Sequence, residues 1–173
     1  MNLDILAMHA AQSPEKTALV DDAGRRRSYA ELNARANSAA AALVALGLTV
    51  GDRCAHIHYN CIEGFEVGHA LRKVGGVAVP VNTRLRGGEI AYLVNDSGAR
   101  VVVAGPEFIA AVDEARSKVE DAEGRHWLAL GDATPPPGWQ SYEQLLSAPG
   151  DAPVAGSATL GGPTMIYTAG TTG

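Results

Sequence analysis

Four short strand-like runs separated by segments of helical periodicity limit this chain to very few architectures. The runs lie at 53–59, 77–81, 101–104 and 127–130. Between them, 61–74, 86–95 and 106–119 carry apolar residues at helical spacing, which predicts a helix in each interval. Strands alternating with helices at this spacing are the pattern of βαβ units: parallel strands flanked by helices, an α/β fold. In the first run Ala55, Ile57 and Tyr59 fall on one strand face, and Cys54, His56 and His58 on the other. The run VAVPV at 77–81 reads as a strand buried on both faces, with Pro80 placed at its end because proline has no N–H for the ladder.

The segments ahead of these units are also legible. A helix is expected over 3–11, closed off near Pro14, then a hairpin of 17–20 and 25–28 around the turn DDAG at 21–24. Ser28 followed by Glu31 is a capping box for a helix whose stripe is Leu32, Ala36, Ala39, Leu43 and Leu46, ended by Gly47. Asn60 with Glu63 gives the same N-cap logic for the helix over 61–74, ended by Gly75 and Gly76. After Gly131 the texture changes. Residues 1–131 read as an α/β subdomain, 132–163 as a Pro/Gly-rich linker holding a short helix near 142–146, and 164–173 as a strand running into a loop.

Bulk properties exclude several function classes. The chain has 173 residues and a net charge of −5, so nothing electrostatic favours nucleic acid. The densest basic cluster, Arg25-Arg26-Arg27, reads as a solvated hairpin edge. Two cysteines are too few for a disulfide framework, and the N-terminus lacks a signal peptide's basic region and cleavage site. The uncharged run 36–51 is alanine-heavy and amphipathic, not a membrane span. The expected location is cytoplasmic.

The last ten residues, TMIYTAGTTG, bear on chemistry. Glycines at 170 and 173 permit backbone turns that aim successive N–H groups into one concavity, and Thr168, Thr171 and Thr172 add hydroxyls. Such a loop suits phosphate oxygens, above all where it leaves the carboxyl end of a strand. Neither common nucleotide fingerprint is present: no Lys follows Lys118, and GxGxxG does not occur.

YTAGTTG at 167–173 resembles the first part of the signature of the adenylate-forming enzymes, which include acyl-CoA synthetases, peptide-synthetase adenylation domains and luciferase. In that family the loop reads approximately YTSGTTG and continues x-Pro-Lys-Gly. SYAEL at 28–32, GLTVGDR at 47–53, NCIE at 60–63, GGVAVPVNTRL at 75–85, EIAY at 89–92 and NDSG at 95–98 resemble further family motifs, in the same order. The resemblance implies the N-terminal part of the large domain of an AMP-forming acid–thiol ligase, ending inside the phosphate loop with its sheet incomplete. It implies ATP, Mg²⁺, coenzyme A and a carboxylic acid of fatty or aryl type as cofactors and substrates. The acid attacks the α-phosphorus of ATP, pyrophosphate leaves, and the thiol of coenzyme A displaces AMP from the acyl-adenylate.

Carried over residue by residue, Thr168, Ala169, Gly170, Thr171, Thr172 and Gly173 match the phosphate-binding positions. Ala169 stands where the family often has Ser, which removes one hydroxyl donor. The motif's Lys, the Mg²⁺-holding Glu, the ribose-binding Asp and the adenylation Lys of the family match nothing in these 173 residues. No catalytic residue is therefore assigned, and the chain alone is expected to be inactive. The other reading is a truncated, non-catalytic relative serving as a binding or homodimerisation module.

Other polar residues are expected to be structural. Cys54, His56 and His58 lack a fourth ligand and a second cluster, so packing is favoured over zinc. Tyr59 and Tyr92 read as packing residues, Glu89 and Asp96 as helix-face and helix-end charges, and Asn82 as a turn residue.

Overall fold

In the computed structural model, residues 4–146 and 163–168 are described. α1 (Ile5–Gln12) is capped by Asp4, whose carboxylate accepts from Ala7 N–H. β1 (Thr17–Val20) and β2 (Arg26–Ser28) pair antiparallel. α2 (Tyr29–Ala45) begins on the reciprocal cap expected of Ser28 and Glu31: Glu31 N–H donates to Ser28 Oγ at 3.2 Å, and Ser28 N–H to Glu31 Oε2 at 2.8 Å.

The remaining elements are β3 (Arg53–Ile57), α3 (Ile62–Val74), β4 (Val77–Pro80), α4 (Gly87–Ser97), β5 (Val101–Ala104), α5 (Ile109–Arg116), β6 (His126–Ala129), β7 (Gln140–Ser141) and α6 (Tyr142–Leu146). β3 to β7 form one parallel sheet in the order β4-β3-β5-β6-β7. The chain steps from β3 out to β4, then returns across β3 to β5. Crossovers keep one hand, so this reversal of direction sends α3 and α4 to opposite faces.

Two cores result. On one face Cys54, Val101, Val103 and Leu128 pack beneath Leu43 of α2, Val67, Leu71 and Val74 of α3, and Tyr142 of α6. On the other, Ala55, Ile57, Val79, Val102 and Trp127 meet Ile90 and Val94 of α4 and Val112 and Ala115 of α5. Alternate residues of β3 and β5 thus serve opposite cores, which is why β5 is apolar throughout and β3 is apolar at Cys54, Ala55 and Ile57.

Several boundaries differ from expectation. β3 stops at Ile57, so Tyr59 leaves the sheet and stands 59% exposed instead of sharing a face with Ala55 and Ile57. The N-cap of α3 is Cys61 rather than Asn60; its sulfur accepts from Gly64 N–H at 3.4 Å. A 3-10 turn at Pro106–Phe108 precedes α5, which is shorter than its periodicity predicts. β7 falls within the Pro/Gly-rich stretch and extends the sheet beside β6. Two residues show no periodicity, so no sequence pattern marks it. The short helix expected near 142–146 is α6.

Candidate phosphate-binding site

Beyond β4 the chain returns to the sheet at Thr164. Ala78 N–H donates to the Pro163 carbonyl at 3.1 Å, Met165 N–H donates to the Ala78 carbonyl at 2.8 Å, and Thr164 forms an isolated parallel bridge with Ala78. Sequence reading expects a strand over 164–167, but among the described residues the pairing stops here. The cause lies in β4. In a parallel ladder the next donor along that edge belongs to residue 80, and Pro80 has no N–H.

The direction survives the short pairing. Running parallel to β4, the segment heads for the carboxyl end of the sheet, the end where open α/β sheets bind ligands. Tyr167 packs against the core beneath α4 and α5 and donates from its hydroxyl to Asp96 Oδ2 at 2.6 Å. Desolvation, then the hydrogen bond to Asp96, push the phenol up to about 12, so it stays a donor across the ordinary pH range. Thr168 follows, exposed, with its hydroxyl available to an anionic oxygen. Ala169, Gly170, Thr171, Thr172 and Gly173 lie outside the described residues.

A second place at the carboxyl ends competes for a phosphate. The reversal between β3 and β5 opens a crevice of about 310 Å³ lined by His58, Asn60, Gly105, Glu107, Gly131 and Asp132, with Arg25 and Glu63 at its side. Its one guanidinium, Arg25, is committed to Glu63 at 2.8 Å and Asp21 at 2.5 Å, and its other charges, Glu107 and Asp132, are carboxylates. An anion there would meet net negative charge. The threonine–glycine segment does not carry that penalty.

Cys54, His56 and His58 each make contacts within the fold. Cys54 is buried in the core under α2 and α3, where desolvation pushes its thiol up to about 12. His56 Nδ1 lies 3.0 Å from His58 Nε2 with the rings stacked, and His58 Nδ1 lies 2.8 Å from the Tyr59 carbonyl. His58 also lies over Gly64, where an added Cβ would come within 2.3 Å of its ring. Among the described residues no group of three His, Cys, Asp or Glu is placed to hold a metal ion. No described helix is long and apolar enough to cross a membrane.

Comparison with known proteins meets this geometry. The family model for the AMP-binding enzymes matches residues 6–173. The chain belongs to that family. It is 34% identical over 172 residues to long-chain-fatty-acid–CoA ligase FadD13 of Mycobacterium tuberculosis (strain ATCC 25618 / H37Rv), covering 98% of this chain and 32% of that protein. The inhibitor-bound N-terminal domain of FACL13 from Mycobacterium tuberculosis superposes with a TM-score of 0.84 at 30% identity, covering 100% of this chain and 42% of the other. ATP-bound MatB from Rhodopseudomonas palustris superposes with a TM-score of 0.74 at 31% identity, covering 100% and 33%. The AMP-binding chain thus spans about a third of its curated relative's length, and its parallel sheet with helices on both faces is the fold of these ligases.

Sequence reasoning proposes the loop, five of whose six residues lie outside the described ones, but gives no anchorage for it. Asp96 was legible only as a helix-end charge, because the hydroxyl that meets it comes from a residue 71 positions later. Of the arginines at 25–27, Arg25 and Arg26 are exposed as a solvated hairpin edge requires, but Arg25 also pairs with Glu63, and half-buried Arg27 brings its Nε to 3.8 Å from buried Glu66. Glu63 and Glu66 stand three apart on one face of α3, and that spacing was the available signal.

Proposed function

We propose that this chain supplies the N-terminal portion of an ATP-dependent, AMP-forming carboxylic acid–CoA ligase. The observation that carries the reading is the parallel course of 163–168 beside β4, which heads Thr168 toward the ligand-binding end of the sheet. The similarity to FadD13 and to ATP-bound MatB supports ATP as the nucleotide and a fatty or related carboxylic acid as its partner.

In this reading Thr168, Ala169, Gly170, Thr171, Thr172 and Gly173 hold the β- and γ-phosphates while the acid attacks the α-phosphorus. Hydroxyl and backbone N–H donors fit phosphate oxygens, and fixing the leaving pyrophosphate is the positioning such a displacement needs. Mg²⁺, when bound with ATP, neutralises charge on the phosphates. Coenzyme A then takes the acyl group from AMP. The 173 residues alone lack the motif's lysine and the family's acidic Mg²⁺ ligand. Each missing charged contact forfeits about 1.5–3 kcal/mol, so the chain by itself does not turn over.

Carboxylate-dependent ATP–pyrophosphate exchange tests both halves of the proposal. The full-length gene product is expected to exchange label with a panel of fatty and aryl acids, and the 173-residue chain is expected to show none. No exchange by the gene product with any acid overturns the ligase reading; turnover by the short chain overturns its inactivity.

A further inference from the structure

NDSG at 95–98 holds four residues, and the fold explains three of them. Asn95 pins the segment after α5: its amide donates to the Lys118 carbonyl at 3.3 Å and its Oδ1 accepts from Glu120 N–H at 2.9 Å. Ser97 is buried, and its hydroxyl donates to the Leu93 carbonyl at 2.6 Å. Gly98 closes α4 in a left-handed conformation, φ 61°. Asp96 points outward from the last turn of α4 and takes part in none of this. Its carboxylate instead accepts from the hydroxyl of Tyr167, the residue immediately before Thr168.

The segment that Tyr167 terminates is thinly attached. Its backbone is held by the two bonds at Ala78, and Pro80 blocks a third. Met165 is 39% exposed and Ile166 69% exposed, so neither side chain holds the segment down. Tyr167 alone among residues 163–168 both packs against the core and makes a side-chain hydrogen bond to another element.

We infer that the Tyr167–Asp96 pair positions the phosphate loop by locking its root to the end of α4. Tyr167 and Asp96 are positioning residues and touch no substrate. The ring sets the depth at which the chain leaves the sheet, and the hydroxyl sets its direction. Both fix where Thr168 presents its donor. The lock discriminates between substrates: it bears on ATP, whose phosphates the loop meets, and not on the carboxylic acid. The inference rests on the ligase reading for its consequence in catalysis, but the lock itself is a property of this chain.

Two measurements separate these levels. In the 173-residue chain, Tyr167→Phe and Asp96→Asn are each expected to speed amide hydrogen exchange at Met165 and Ala78, whose N–H groups make the two bonds that hold the segment, about tenfold, leaving β3 and β5 unchanged. Exchange within about twofold of wild type in both variants overturns the lock. In the full-length gene product, Tyr167→Phe is expected to raise KM for ATP about fivefold while KM for the acid stays constant, and Asp96→Glu is expected to stay closer to wild type than Asp96→Asn. Equal shifts in both KM values, or a fall in kcat alone, overturn the positioning role. A wild-type gene product that exchanges no pyrophosphate removes the ligase reading, and hydrogen exchange still decides the lock.

Discussion

Glu66 has no exposed surface, and its carboxylate gathers groups from three separate elements. Arg35 Nε of α2 donates to Oε1 at 2.5 Å, the Tyr142 hydroxyl of α6 donates to Oε2 at 3.2 Å, and Arg27 of β2 stands nearby. A buried ion is tolerated only when its partners hold it, and deleting one partner strands the others. Glu66→Ala is therefore expected to cost about 3 kcal/mol, the low end of the range because Arg35 keeps contact with water. Urea unfolding followed by circular dichroism reads this directly, and a loss below about 1 kcal/mol rejects the network as a structural tie. His56 gives a second expectation at this scale. Burial, reinforced by the neighbouring His58, lowers it to about 4, so between about 4 and its ordinary 6.5 the unfolded chain binds the extra proton and the folded chain does not. The His56 contribution therefore falls as pH drops from 6.5 toward 4 and levels off below that. His56→Asn is expected to flatten this part of the stability–pH curve; an unchanged slope means that another group titrates there.

Among the elements, α4 shows how a helix end is written partly in local sequence and partly elsewhere. Gly98 was readable as a stop, since glycine accepts the left-handed turn that ends a helix. The partner was not readable: Arg53 comes from the start of β3 and donates through Nε to the Ser97 carbonyl at 2.6 Å and through a terminal nitrogen to the Gly98 carbonyl at 3.2 Å. A Cβ on Gly98 would stand 2.6 Å from that guanidinium, so Gly98→Ala adds displacement of Arg53 to the strain of a left-handed alanine. A loss of about 2 kcal/mol is expected in the same urea assay, against about 1 kcal/mol for Ser28→Ala at the solvent-facing cap of α2. Equal losses at the two sites reject the role given to Arg53. The same division runs through the fold. Ser28–Glu31, the helical stripes and the strands at 77–80 and 101–104 depend on neighbours within one or two turns, and all were legible. β7, the early stop of the 164–167 strand and the Tyr167–Asp96 bond depend on what lies opposite in space, and they were not.

At the scale of the molecule, the order β4-β3-β5-β6-β7 leaves β4 at one margin of the sheet, where among the described residues the single bridge at Thr164 is its one outer pairing. Periodicity could establish that the strands are parallel but not their order, because each crossover can return on either side of the strand it left. Once the order is fixed, the consequence is physical. Past Ala78 the one outward-facing ladder group left in β4 is the Pro80 carbonyl, and among the described residues Met165 and Ile166 present apolar surface beside it. Pro80 removes the donor that a pairing strand would need there, so the apolar side chains at the rim are what invite contact with another chain. The 173-residue chain is accordingly expected to self-associate, with a sedimentation coefficient that rises with concentration in the micromolar range. Ile166→Glu places a charge on the rim without touching either backbone bond at Ala78, and is expected to shift the chain toward monomer while its unfolding midpoint changes little. If Ile166→Glu associates as wild type does, the contact lies elsewhere; the exposed Phe65 on α3, 49% accessible beside Gly64 and Gly68, then becomes the face to substitute.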